Sequence, residues 1–570
     1  MKERSQSQQR MGMVLVLVLL VSGSLLLWRG LRGFVPVETS IKTTATSVSG
    51  GNMAPSPASP ALGPVTPGEG VYTSNAPQDT SPSTVDALCA GCDVVLVTVC
   101  SLRKDHLGTF GGSSTISPAV DGVAEGAFRF DRAYAASNFT LASLTAILTG
   151  RFGTATGVTG WDKGLTKDVP TLPEVLGVYG YNTAGFTTDA PSGFRPDYGL
   201  DRGFQHLEIT AAPRNSPDGR WRGGEKEPLG AAATPAIEWL EEQSTDKPIF
   251  LMLHTRTAHF PFVVDPPEDG SDPTKMKELL WEAGRKDANA RTEQAMPGMA
   301  GGTAQQGIVK IVRQDPLQTQ VNLMGEPAVA VWADEYAKAV TRMDSDVSAL
   351  LAALERRGRM EKTLFVLVAD HGESLNDHGE LLHGDAFFDG VINVPLIMKI
   401  PDLAAPSQTS DMLVSQVDIL PTILDVVGAI APSGIDGVSL LPYLKGSEEG
   451  IPHDVVLSEG GVARQEGPDM PGAVIAPPWL LMKQQRGCPE ESAGMRFMDG
   501  SMPVCLFNMD EDPNQTQSKA AVEQEVVAEL LARWNGFREA HGQRESTREL
   551  SPEFIEELRR SGYDFSTGAP

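Results

Sequence analysis

Val366-Leu-Val-Ala-Asp370-His371-Gly372-Glu373-Ser374, followed by His378 and by His383-Gly384, is the stretch on which the fold turns. An apolar, β-branched run that stops abruptly at Asp-His-Gly reads as a buried parallel strand. Its C-terminal end then carries a carboxylate, an imidazole and a glycine turn. Open α/β sheets bind their ligands outside the carboxyl ends of the strands, so these residues read as a metal site. A second strand of the same kind lies far upstream, in Asp93-Val-Val-Leu-Val-Thr-Val-Cys100-Ser101-Leu102-Arg103-Lys104-Asp105-His106.

From Cys89 onward, strand-like and helix-like segments alternate, the pattern of a parallel sheet covered on both faces. Strands are expected at 94–99, 182–186, 249–254, 364–369 and 396–400, and helices at 141–148, 171–179, 234–243, 335–357 and 420–427. Residues 264–332 lose this periodicity in Pro/Gly/Gln/Met-rich sequence and read as an insertion beside the site. The organisation expected is an N-terminal anchor at 1–30, a tether at 31–87, a main domain at 88–454, a C-terminal subdomain at 455–540 and a tail at 541–570. Within the tail, Ser551-Pro-Glu-Phe up to Gly562 has the cap, first-turn proline and glycine stop of a short helix.

The chain has 570 residues, enough for a large core and more than one folding unit. Its 47 Lys and Arg against 73 Asp and Glu give a net charge of −26, so nucleic acid is not an expected partner. The run Met11 to Trp28, flanked by Arg10 and Arg29, is apolar and near the minimum length for a membrane span. It lacks an Ala-x-Ala exit, which favours a signal anchor over a cleaved signal peptide and puts everything after Arg29 outside the cytoplasm. The tract from 37 to 85, rich in Ser, Thr, Pro and Gly, cannot bury enough surface to offset its ordering entropy. The five cysteines sort into Cys89 with Cys92, Cys488 with Cys505, and a lone Cys100. Export disulfides account for the pairs, while Cys89-Ala-Gly-Cys92 on its own also fits a redox motif or half of a zinc site.

Taken together, the two strand ends resemble the metal-binding segments of the sulfatase branch of the alkaline phosphatase superfamily. Other stretches follow in that family's order: Phe130-Asp-Arg-Ala-Tyr-Ala135, Thr140 to Arg151, Thr171-Leu-Pro-Glu-Val-Leu, Gly199-Leu-Asp-Arg-Gly-Phe204, His254 with His259-Phe-Pro261, Val394-Pro395-Leu396 and Val417-Asp418-Ile-Leu-Pro421-Thr422. The resemblance implies an α/β fold of alkaline phosphatase type, a mixed and mostly parallel sheet between helices, with a smaller C-terminal α+β subdomain. It also implies a hydrolase or transferase for a sulfate or phosphate ester.

Carried over residue by residue, the resemblance puts Thr140 at the nucleophile's position. In sulfatases proper that residue is a Cys or Ser, made into formylglycine within Cys/Ser-x-Pro-x-Arg. Here the segment is Thr140-Leu-Ala-Ser-Leu144, so no formylglycine is expected. Phosphotransferase and phosphodiesterase relatives use a threonine there, although Thr140 could instead simply cap its helix. His259 is the implied general acid, and His254, His383 and Arg103 are implied to face the substrate anion. Asp370 and His371 are the implied metal ligands, joined by Cys100 at a position where the family carries aspartate. A thiolate keeps the charge of aspartate but is soft, so zinc or manganese is expected rather than calcium. Two alternatives stay open for Cys100. It is a buried apolar cysteine of a site that lost its metal, or Asp93 or Asp105 serves in its stead. The missing carboxylates at 100 and 101 and the leucine at 144 also leave open a non-catalytic member binding an anionic glycan or envelope partner.

Overall fold

A computed structural model describes residues 87–541 except 162, 189–192, 211–231, 260–325, 380, 385, 407–408, 447–451, 461–469, 485–487 and 489–502. The strands are β1 (Asp93–Val99), β2 (Phe128–Tyr134), β3 (Asn182–Thr187), β4 (His206–Ile209), β5 (Ile249–Thr255), β6 (Thr363–Ala369), β7 (Ser374–Leu375), β8 (Leu381–Leu382), β9 (Leu396–Lys399), β10 (Ser410–Ser415), β11 (Val456–Glu459), β12 (Gly472–Ala476), β13 (Trp479–Lys483) and β14 (Val504–Asn508). The helices that matter here are α1 (Thr140–Thr149), α2 (Leu172–Val178), α3 (Ala233–Glu242), α4 (Glu326–Arg356), α5 (Ile419–Val427) and α6 (Gln524–His541).

An eight-stranded sheet runs in the order β10-β2-β9-β6-β1-β5-β3-β4. All neighbours are parallel except β9, which is antiparallel to both β2 and β6. Helices accompany this sheet, giving the mixed, mostly parallel α/β fold expected from the sequence. Every residue of β1, β5 and β6 is buried, as unbroken apolar runs require when both faces are covered. Register brings the strand ends level: Val99 lies opposite Thr255 of β5 and Ala369 of β6. The Cys100 N–H donates to the Thr255 carbonyl at 2.8 Å and the Asp370 N–H to the Val99 carbonyl at 3.2 Å. Three chain segments remote in sequence therefore end at one point.

Thr171 and Glu174 form a capping box that starts α2. The other three helices read from the sequence match α3, α5 and α1, the last of which is buried along its whole length and ends at Gly150 in the left-handed region, φ 67°. Helix α4 begins at Glu326, so the last residues of the expected 264–332 insertion belong to that helix, and 264–325 lie outside the described residues.

The C-terminal region is a four-stranded antiparallel sheet, β11-β12-β13-β14, with α6 turning Leu530, Trp534 and Phe537 into it. Gly472 is obligatory there, since a Cβ would stand 2.0 Å from the Trp534 ring. Cys488 and Cys505, 17 residues apart, form a disulfide on this sheet, Cys89 and Cys92 form another at the start of β1, and Cys100 is a buried free thiol. The expected anchor at 1–30, the tether up to 86 and the terminal helix at 551–562 lie outside the described residues. No helix among the described residues is long and apolar enough to cross a membrane.

Candidate active site

The turn after β1 is held in an uncommon conformation. Ser101 sits at φ 61°, the left-handed region that few non-glycine residues occupy without compensation. Its N–H donates to Asp370 Oδ1 at 3.0 Å, and its carbonyl accepts from the Tyr336 hydroxyl at 2.7 Å. That hydroxyl in turn accepts from the Arg103 N–H at 2.7 Å, so α4 braces the turn from behind. At the end of β6, Gln416 donates to the carbonyls of Ala369 and Asp370, both at 2.7 Å, and accepts from Ala136 N–H at 2.9 Å.

Cys100, His254 and Asp370 are buried, and one ligand atom from each lies within 4.8 Å of the other two. Asp370 Oδ1 accepts N–H groups from Ser101 and His371, while Asp370 Oδ2 and His254 Nε2 are buried without any hydrogen-bond partner. Leaving a buried polar atom unsatisfied costs about 1–3 kcal/mol, and two such atoms converging beside a thiol are what a bound cation would satisfy. The donor set is a soft sulfur, an imidazole nitrogen and a carboxylate, which fits zinc better than calcium or magnesium. Burial pushes His254 down to about 4, so it is a neutral imidazole able to ligate. Burial opposes ionisation of Asp370, but His371, His254 and the two N–H donors outweigh it, and the carboxyl lies below its ordinary range.

Thr140 is the first residue of α1, and the cap position belongs to Phe139, which makes no side-chain cap. Thr140 Oγ1 is instead 3.4 Å from Cys100 Sγ and 3.2 Å from His371 Nε2. The tautomer of His371 follows from its other nitrogen: Nδ1 is 2.8 Å from the Gly372 carbonyl, which can only accept, so Nδ1 carries the proton. Burial pushes His371 down to about 4 as well, leaving Nε2 with a lone pair aimed at the Thr140 hydroxyl. The same Nε2 is 3.6 Å from Asp370 Oδ2, at the border of the ligand cluster.

The His371 and His383 rings are 4.1 Å apart, and His383 and His259 meet edge to face at 5.1 Å. His383 Nδ1 is 2.9 Å from Glu373 Oε1 and 3.5 Å from Ser101 Oγ. Glu373 is buried, and that burial pushes its carboxyl up to about 8. Arg256 Nη2 lies 3.1 Å from Nδ1 and 3.2 Å from Nε2 of His259. His259, His383, His371 and Thr140 are thus brought together, while His254, expected at the substrate, joins Cys100 and Asp370 in the ligand cluster, and His371, expected among the ligands, stands at its border.

Arg103, expected at the substrate, is committed elsewhere. Its guanidinium donates to Asp105 at 2.9 and 2.7 Å, to the Glu373 carbonyl at 2.9 Å and to Asp377. Asp105 is thereby bound to Arg103, and Asp93 sits at the opposite end of β1 against Arg359 and the Ile249 N–H, so neither stands in for Cys100. Sequence reading did not single out Glu373, Arg256 or Gln416. Glu373 was within the quoted stretch, and Arg256 lies between two histidines that were read. Nothing local in the sequence marks Gln416.

The family model described as Sulfatase matches residues 93–429. The chain is 24% identical over 400 residues to the N-acetylglucosamine-6-O-sulfatase of Bacteroides thetaiotaomicron, covering 60% of this chain and 70% of that protein. It is 23% identical over 394 residues to an arylsulfatase of Clostridium perfringens, covering 61% and 77%. The crystal structure of the phosphonate monoester hydrolase of Agrobacterium radiobacter superposes with a TM-score of 0.56 at 20% identity, over 81% of this chain and 98% of that one, which reflects a shared fold. With the family model spanning more than half of its length, this chain belongs to the sulfatase family.

Proposed function

We propose that the chain is a metal-dependent hydrolase of a sulfate or phosphate ester acting outside the cytoplasm, with Thr140 as its nucleophile. The observation that carries this reading is Thr140 Oγ1 lying between Cys100 Sγ and the lone pair of His371 Nε2, at the N-terminus of a ten-residue helix. A hydroxyl, a base and a carbonyl that fixes the base's tautomer are the parts of an activated nucleophile. Cys100, His254 and Asp370 would hold the ion, which when bound supplies Lewis-acid polarisation of the ester's oxygens.

The chain's own residues do the rest. His371 Nε2 takes the Thr140 proton as Oγ1 attacks sulfur or phosphorus, and the bond to the leaving oxygen breaks. The first-turn N–H groups of α1 and its dipole face the incoming anion. His259, next to His383 at the outer end of the ring row, protonates the leaving oxygen. A water, deprotonated by His259, then cleaves the threonine ester, and Oγ1 recovers its proton from His371. Oxidation of a threonine would give a ketone and not formylglycine's aldehyde, so the hydroxyl acts unmodified. The relatives named for N-acetylglucosamine 6-O-sulfate and for phosphonate monoesters support an anionic ester as the substrate class. Two disulfides and the apolar N-terminal run support an oxidising, extracytoplasmic setting.

One observation favours a second reading, a non-catalytic protein binding an anionic glycan or envelope partner. Positions 100 and 101 hold no carboxylate, and position 144 is a buried leucine. The test is a panel of aryl sulfates, phosphomonoesters and phosphodiesters assayed with zinc-loaded protein. We expect turnover of at least one class and a loss of at least about a thousandfold in kcat for Thr140→Ala. If wild type and Thr140→Ala are equally inert, the non-catalytic reading stands.

A further inference from the structure

Within the apolar run 94–99 of β1, Thr98 is the one polar side chain, and it is fully buried. A valine would serve the strand equally well, since both residues are β-branched and suit a pleated surface, so packing alone gives no reason for a hydroxyl there. Register supplies one. Thr98 lies directly opposite His254 of β5, and its Oγ1 is 2.9 Å from His254 Nδ1. The ring of His254 is held from a second direction by Phe194, whose centroid is 6.0 Å away. Both partners of the hydrogen bond are fully buried, as are Cys100 and Asp370.

That bond decides which nitrogen of His254 is open. With Nδ1 engaged, Nε2 is left, and it is buried without a hydrogen-bond partner, as is Asp370 Oδ2. If the Thr98 hydroxyl donated to Nδ1, Nε2 would carry an N–H with no acceptor. If the hydroxyl accepts from Nδ1–H, Nε2 carries a lone pair, and a cation between it, Asp370 and Cys100 satisfies the unpartnered atoms together. Only the second tautomer suits a bound ion. We propose that Thr98 is a positioning residue of the metal site: its hydroxyl accepts the Nδ1 proton of His254 and so fixes the ring with Nε2 as the ligating nitrogen. The assignment deepens the metal-dependent hydrolase reading and rests on the ligand set named there. It gives the site the outer hydrogen bond that orients an imidazole toward a metal and raises its basicity.

The experiment uses full-length protein, with zinc ion as the probe, in competition against a chromophoric chelator. Thr98→Val, which keeps the branched shape and removes only the hydroxyl, is expected to weaken zinc binding about ten- to a hundredfold, and Thr98→Ser to restore most of the loss. Ring-nitrogen NMR of the zinc-loaded wild type is the second measurement, and it needs no variant to fold. There the His254 Nδ1 should carry a proton and Nε2 should show the shift of a metal-bound nitrogen. Zinc bound as tightly by Thr98→Val as by wild type overturns the assignment, and so does a holo-protein in which Nδ1 is unprotonated or is itself the ligand. In either case tight zinc binding with ester turnover leaves the hydrolase reading intact. Thr98-dependent zinc binding in a protein that turns over no ester would uphold Thr98 and sink the hydrolase reading instead, whereas a wild type that binds no zinc overturns both.

Discussion

As a proposed ligand, Cys100 would change which ion the strand ends hold. An aspartate there would make a hard oxygen site, whereas the thiolate keeps the charge and adds polarisability. The sequence made Cys100 and Asp370 visible as strand-end residues, because each follows an apolar run directly. His254 ends a similar run, yet its place beside them depends on the register of β1 with β5, a pairing across 156 residues that no local pattern encodes. Replacing Cys100 by Asp should therefore move the preference from zinc toward manganese or magnesium while some turnover survives. Replacing it by Ala should strip metal and lower activity together. Elemental analysis of the purified variants with competitive metal reconstitution is the measurement, and an unchanged zinc stoichiometry in Cys100→Ala would remove the thiol from the ligand set.

At the level of elements, the strands with unbroken apolar runs were legible almost to the residue, since burial on both faces leaves no polar interruption to misread. Strands β2 and β10 were not read because both carry charges near the sheet's rim, Asp131 and Arg132 in one and Asp411 in the other. Helix α6 buries Leu530, Trp534 and Phe537 and packs Val526, Val527 and Leu531 partly against the same cluster, a face interrupted by charged residues that the sequence reading did not assign to a helix. Its last residue docks it: His541 Nε2 is 2.7 Å from Asp436 Oδ1, while Asp436 Oδ2 accepts the Phe152 N–H at 2.8 Å. The Asp436 hydrogen bond raises the His541 pKa against the opposing effect of burial, and the Phe537 carbonyl and Glu459 add to the rise. A histidine whose folded pKa is raised contributes its stability fully below its unfolded value of about 6.5 and loses it as the pH climbs through the folded one. Wild-type Tm should accordingly fall more steeply above about pH 6.5 than that of His541→Gln, which lacks the titrating group. Parallel melting curves from pH 6 to 9 would show that the contact does not couple the helix to protonation.

Across the whole molecule, charge, disulfides and the N-terminal sequence bear on one question, which is where the site meets its substrate. Both disulfides lie in the described part of the chain, and bonds of this kind persist in oxidising compartments. Upstream, Met11 to Trp28 carries no charged residue and is bracketed by Arg10 and Arg29, the pattern from which a signal anchor is expected, and fractionation tests that expectation. The expected outcome is that full-length protein sediments with membranes and resists high-salt washing, because insertion is apolar and unscreened. A chain beginning near Thr84 should stay in the supernatant with its metal site intact. Protease added to intact cells or spheroplasts should release the folded domain without entering the cytoplasm. Recovery of the full-length product as a soluble protein lacking residues 1–30 would identify a cleaved signal in place of an anchor, and release by salt alone would rule out insertion altogether.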